Sequence, residues 1–283
     1  MLECVVNLSV PSREEAVLLG AFAGASLRDL HHDDDHGRAV LTLIGEPAAL
    51  ETDVRALARV SAARLDLTGH VGVHPRLGAL DVVPFVSLEG DLGAAVRARD
   101  AVATWFATAL GVPVFLYGPL NDGSARTLPE VRRHAFRGLA PDRGPERPHP
   151  RLGASALGAR GILVAWNLGL RDATLEEARE VARALRGPHV RALAFALRTG
   201  PQISCNLLDP LIVGPSDVYD AVSARLGEGR LGVGELVGLA PRGVLERTEP
   251  GRWARLGLSE AATIEAAVAS AGPGAALESP GAP

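Results

Sequence analysis

A chain of 283 residues that is 47% hydrophobic with a net charge of −4 holds enough material for two modest domains of about 100–150 residues each. No run of about 18 apolar residues occurs and no basic-then-apolar leader opens the chain, so a cytoplasmic protein that does not engage a membrane is expected. Every one of the 29 Lys-plus-Arg positions is arginine, interspersed with acids, and no arginine run or aromatic ladder points to nucleic acid; Cys4 and Cys205, each in an apolar segment, form no disulfide framework and read as small buried side chains.

The first half reads as strand, helix, strand, strand, helix, strand. Residues 2–8 are a short apolar run. Ser12 is placed to cap a helix reaching about Ala23, with Glu15 as capping-box partner, and Gly24 to stop it. Residues 26–30 and 38–44 are strands joined by the polar run HHDDDHG. Leu50, Val54, Leu57, Val60 and Leu65 recur at helical spacing over 47–65. A Gly- and His-rich loop leads to a strand at 81–86, then a helix at 91–110 and a strand at 112–117.

The second half repeats the order. A strand at 162–167 precedes a helix at 175–185 whose start is Glu-rich and whose end is Arg-rich, the order the helix dipole favours. Strands at 190–197 and 203–208 flank the turn Arg198-Thr199-Gly200-Pro201. A proline-opened helix at 215–226 and a strand at 231–239 complete the unit. The pattern predicts an α+β protein of two tandem ferredoxin-like (βαββαβ) subdomains, 1–160 and 161–270, with a ligand cleft between them. The Pro-, Arg- and Gly-rich stretch 138–153 reads as a loop that lines this cleft. The tail 271–283 reads as disordered.

The segment His70-Val-Gly-Val-His74-Pro-Arg-Leu-Gly-Ala-Leu-Asp81 concentrates chemistry. Its glycines permit a tight path and Pro75 stiffens the backbone after His74. A histidine so placed, beside Arg76 and near Asp81, suits proton transfer near neutrality; the bland alternative is a structural loop. His70 and His74 stand four apart, as zinc ligands do on a helix, but Gly72 and Pro75 oppose a helix there. The HHDDDH run at 31–36 lacks a known ligand spacing and reads as a solvated turn, so no metal is expected. The string GEGRLG at 227–232 follows a helix and enters a strand, the wrong context for a dinucleotide. Without lysine there is no Walker motif, and Gly-x-Ser-x-Gly is absent.

The string H-x-G-x-H-P-R-x-G-A-L-D, continuing into Val82-Val83-Pro84-Phe85, resembles the signature of glutamate formiminotransferase. Further pieces follow in the family's order. They include Glu3-Cys4-Val5 with Asn7 and Ser9, and Val112-Pro113-Val114-Phe115-Leu116-Tyr117-Gly118. Leu128-Pro129 with Arg132 comes next, then Gly144-Pro145 through Gly153-Ala154. Gly158-Ala159-Arg160, Trp166-Asn167, Gln202-Ile203-Ser204 and Leu236-Val237-Gly238-Leu239 complete the series.

The resemblance implies two ferredoxin-like subdomains around a folate cleft. It implies transfer of a formimino or formyl group between N-formimino-L-glutamate and N5 of tetrahydrofolate, as in histidine degradation. Tetrahydrofolate is then a co-substrate and the partners are small molecules, with a homodimer compatible. His74 aligns with the catalytic histidine. Asn7, His31, Arg38, Arg76, Asp81, Gly144, Pro145, Gly153 and Arg160 fall at substrate- or folate-binding positions, where arginine suits carboxylates. A cyclodeaminase step is expected to need another protein. The chain departs from the family at Val10-Pro11, where Glu-Gly is usual, and at His31, opposite an aspartate. Gly37-Arg38-Ala39 replaces Asn-Arg-Thr, Val71 and Val73 replace Lys and Glu, and Leu152 stands where Trp is frequent. The alternative reading is a divergent folate- or pterin-binding homologue with an altered donor or little turnover; a third is a non-catalytic scaffold.

Overall fold

The computed structural model describes residues 1–270; the expected disordered tail lies outside the described residues. The chain divides into two compact units, the first ending at Gly161 and the second beginning at Ile162. Both are mixed α+β with one sheet each.

Unit 1 runs β1 (Leu2–Ser9), α1 (Arg13–Gly20), β2 (Leu27–Asp33), β3 (Arg38–Gly45), α2 (Pro47–Arg64), β4 (Leu80–Ser87), α3 (Leu92–Trp105), β5 (Val114–Pro119), β6 (Ala125–Arg126), α4 (Leu128–His134) and β7 (Ser155–Arg160). The sheet order is β2-β3-β1-β4-β7-β5-β6. β7 pairs parallel with both β4 and β5; the other pairings are antiparallel. Ser12 does cap α1, accepting from the Glu15 amide at 3.3 Å, but the helix ends at Gly20, short of the expected Ala23.

Alternation on β1 divides the unit. Leu2, Cys4, Val6 and Leu8 pack into a core with Leu41 and Leu43 of β3, Val83 and Phe85 of β4, Leu50, Val54 and Leu57 of α2, and Ala98 and Val102 of α3. Each fully buried Leu, Val or Phe contributes about 1.5–3 kcal/mol. Glu3, Val5 and Asn7 face the other way. On that second face Val82, Phe115, Tyr117 and Ala156 pack with Val131 of α4 and Ala154.

Two further local expectations change. β2 extends through His31, His32 and Asp33, so half of the HHDDDH run is edge strand and the turn is left to 34–37. β7, in the stretch after the Pro/Gly-rich loop, is a strand that the pattern did not show: SALGAR is short, lacks β-branched residues and is buried almost throughout.

Unit 2 runs β8 (Val164–Leu170), α5 (Leu175–Leu185), β9 (Val190–Leu197), β10 (Gly200–Leu207), α6 (Pro215–Leu226) and β11 (Leu231–Val237), followed by the short helices α7 (Arg242–Glu246), α8 (Trp253–Leu256) and α9 (Ile264–Ala269). Its sheet order is β11-β8-β10-β9, antiparallel throughout. α5 begins with a full capping box between Thr174 and Glu177, and α6 has Pro215 in its first turn. The GEGRLG string is a short 3-10 turn leading into β11. Cys4 and Cys205 are buried free thiols. Among the described residues no helix is long and apolar enough to cross a membrane.

Candidate functional site in unit 1

The β1–β4 pairing slips between Asn7 and Leu8: Asn7 faces Val82 while Leu8 faces Leu80, so Asp81 has no partner on β1. Such a bulge re-aims a side chain. Here it supports a carboxylate that is wholly buried and ringed by donors. The Leu77 amide donates to Oδ1 at 2.6 Å. Arg38 Nη2 and Arg132 Nη2 each stand 2.7 Å from Oδ2, and Arg132 Nη1 is 3.4 Å from Oδ1. Burial alone would raise the carboxyl; the two arginines outweigh it and hold the pKa down to about 2.

Arg38, at the start of β3 opposite Ser9, uses each of its nitrogens. Nε donates to Asn7 Oδ1 at 3.1 Å, Nη2 holds Asp81, and Nη1 stands 2.9 Å from His74 Nδ1. The His74 Nδ1 is also 2.7 Å from the carbonyl oxygen of Pro75. Burial, then the charge of Arg38, push the half-buried His74 down to about 3, against the raising effect of the Pro75 carbonyl. The ring lies 5.8 Å from that of His36, tilted by 53°.

The loop carrying His74 is held on two sides. Toward the β2–β3 turn, the Val73 amide donates to the Asp35 carbonyl at 3.0 Å and His70 Nε2 lies 3.0 Å from the Gly37 carbonyl. Gly37 takes φ +59°, and a Cβ there would stand 2.4 Å from the Val71 carbonyl oxygen. On the other side, the end of the Pro/Gly-rich loop is stitched to it. The Ala154 amide donates to Leu77 at 3.0 Å and the Ala79 amide to Leu152 at 2.9 Å. Gly78 and Gly153 form an isolated antiparallel bridge between the two loops. A Cβ on Gly78 would stand 2.1 Å from the Ala154 oxygen, so this approach requires glycine.

The structure therefore joins Asn7, Arg38, His74 and Asp81 in one network, with Gly153 against the same loop. Arg76 braces the loop itself: Nη2 donates to the carbonyls of Gly72 at 2.9 Å and His74 at 3.0 Å, while its buried Nη1 has no hydrogen-bond partner. His31, Val40, Asn7 and Val82 are successive cross-strand neighbours, which places His31 at the edge of the same sheet face. Gly144 and Pro145 are exposed in the loop between α4 and β7, and Leu152 is buried in the core. Arg160 ends β7 beside the Tyr117 hydroxyl, two strands from Glu3. Arg132, the second clamp on Asp81, is absent from the expected site. Its signal was its place in the Leu128-Pro129-x-x-Arg132 string, with nothing to say that it reaches back to Asp81. Among the described residues no group of three or more His, Cys, Asp or Glu side chains is disposed to hold a metal ion.

Fold and site define a two-unit α+β protein with a histidine held in an arginine–carboxylate network. The model of the formiminotransferase domain, N-terminal subdomain, matches residues 1–160. A glutamate formimidoyltransferase of Streptococcus pyogenes serotype M1 is 31% identical over 271 residues, covering 85% of this chain and 89% of that protein. One from Thermoplasma acidophilum is 30% identical over 274 residues, covering 87% and 89%. The formimidoyltransferase-cyclodeaminase of Sus scrofa is 32% identical over 272 residues, 85% of this chain but 50% of that protein, so the chain spans about half the length of that relative. The chain belongs to the formiminotransferase family.

Proposed function

We propose that this protein is a glutamate formimidoyltransferase that moves a formimino group from N-formimino-L-glutamate to N5 of tetrahydrofolate, with His74 as its acid/base. The observation that carries the reading is the match, along nearly its whole length, to the Streptococcus pyogenes glutamate formimidoyltransferase. The strand orders β2-β3-β1-β4 and β11-β8-β10-β9 support reading the units as two ferredoxin-like subdomains, 1–160 and 161–270.

In this reading N5 forms a bond to the amidine carbon and the bond from that carbon to the glutamate nitrogen breaks. N5 must lose a proton and the departing nitrogen must gain one. His74, with its ring proton on Nδ1 toward the Pro75 carbonyl, takes the first and delivers the second through Nε2. The unpartnered, buried Nη1 of Arg76 fits an acceptor such as a substrate carboxylate, because a buried guanidinium donor left unmade is costly. Asn7 and His31 line the same face, and Gly144, Pro145, Gly153 and Arg160 serve the folate. The substrates are small molecules, the reaction needs no metal, and the protein works in the cytoplasm.

The test is an assay of the purified protein with tetrahydrofolate and either formiminoglutamate or formylglutamate. Turnover with the formimino donor is expected. Turnover with formylglutamate alone would reassign the donor, and none with either would remove the reading.

A further inference from the structure

We propose that Arg38 is a positioning residue for His74: clamped by Asn7 and Asp81, its guanidinium stands fixed at Nδ1 and holds the ring in its uncharged form. The inference rests on His74 having the acid/base role proposed above.

The geometry is restrictive. A guanidinium can only donate and a carbonyl can only accept. Nδ1 of His74 meets one of each, Arg38 Nη1 at 2.9 Å and the Pro75 oxygen at 2.7 Å. A neutral ring satisfies one of them in either tautomer: with its proton on Nδ1 it donates to Pro75 and Nε2 is the proton acceptor, and with its proton on Nε2 it accepts from Arg38 and Nε2 is a donor. An imidazolium would keep the bond to Pro75 but set two cations within hydrogen-bond distance. Arg38 cannot swing away, because Nε is bound to Asn7 and Nη2 to the wholly buried Asp81. Nor can it lose its charge at ordinary pH, although burial lowers its pKa.

The charged and titratable groups around the ring come from every element packed on it. Arg38 of β3 and Arg132 of α4 disfavour the imidazolium, and Asp81 of β4 favours it. His36 of the β2–β3 turn lies alongside, and Arg76 binds the His74 carbonyl from within the loop. Asp81 is shared between two arginines, so it cannot act as the private counter-ion that a histidine–carboxylate pair would have. A cation takes the position where such a pair has a carboxylate, and the sign of the effect on the ring reverses. The consequence is chemical. The cation beside the ring makes the imidazolium a stronger acid, which favours delivery of the proton to the departing glutamate nitrogen and correspondingly weakens Nε2 as the base that takes it from N5.

The experiment is an NMR pH titration of the His74 ring in the wild type, in Arg38→Met, and in Arg38→Met/Asp81→Asn. The double variant removes both charges together and avoids an unpaired buried carboxylate. The wild-type ring is expected to stay uncharged down to at least about pH 5, well below the unperturbed histidine. In the variants the titration should move up by about 1–3 pH units, and the acid limb of kcat should move with it. A wild-type ring that titrates near the ordinary value, or folded variants whose titration does not move, would overturn the proposal. The titration needs no turnover, so a protein inactive with formiminoglutamate but with the expected titration would fail the functional reading and keep this one.

Discussion

Arg132 and Asp81, 51 residues apart, form a two-bond grip in which Arg132 shares Oδ2 with Arg38. The carboxylate is buried without solvent to stabilise it, so its charge depends on these partners. Asp81→Ala leaves Arg38 buried and uncompensated and should cost about 3–5 kcal/mol. Arg132→Ala leaves Asp81 its bond to Arg38 and should cost less, about 1–3 kcal/mol. Denaturant midpoints at neutral pH test the order, and equal losses would mean that the bond to Arg38 does not sustain the carboxylate once Arg132 is gone.

The same carboxylate gives a pH dependence with a definite sign. Its folded pKa is depressed from 3.8 to about 2, so its contribution, about 2 kcal/mol, is whole above the unfolded value and is lost as pH falls from about 4 through 2. Asp81→Asn should flatten that part of the stability curve. An acid limb unchanged in the variant would place the titrating group elsewhere.

How much of this was legible follows from the range of each interaction. α5 and α6 announce their starts through Thr174–Glu177 and Pro215, local signals within one turn, and the structure places both helices over the expected residues. The alternation of β1 is equally local. β7 was not legible: Gly158 is there because the Tyr117 ring of the neighbouring strand lies over it, with a Cβ falling 2.0 Å from that ring, and nothing in SALGAR declares that neighbour. The cluster from His70 to Asp81 stood out because its residues are close in sequence. The bulge that aims Asp81 and the return of Arg132 depend on strand register and on a distant helix. Arg38, expected among the substrate- or folate-binding positions, contacts three groups of the protein, none of them near it in sequence.

Glu3 carries the opposite pH sign to Asp81. It is almost wholly buried on β1, and burial, opposed by Arg160, pushes its pKa up to about 7. The folded state thus prefers the protonated acid. Its contribution is whole below the unfolded value near 4.5 and is lost as pH rises through about 7, at a cost of about 3 kcal/mol. Glu3→Gln keeps the shape and removes the charge. The variant's melting temperature should gain on the wild type between pH 5 and pH 8; a constant difference across that interval would show that Glu3 is not what titrates.

His74→Ala tests the chemistry most directly. The side chain is half-buried in a Gly/Pro-shaped loop and belongs to none of the hydrophobic clusters, so truncation leaves no large cavity. The loop keeps its backbone bonds to Asp35, Leu152 and Ala154. The fold should therefore survive, and the loss should fall on kcat by roughly 10²–10⁴ with little change in KM. His70→Ala is the internal control. Its Nε2 contacts the Gly37 carbonyl, so it braces the β2–β3 turn, and its truncation should lower stability more than turnover. Kinetics and thermal melts of both variants, measured side by side, separate the roles. Turnover that survives His74→Ala but collapses in a folded His70→Ala would transfer the acid/base assignment to His70, and the Arg38 clamp would then be holding a structural ring.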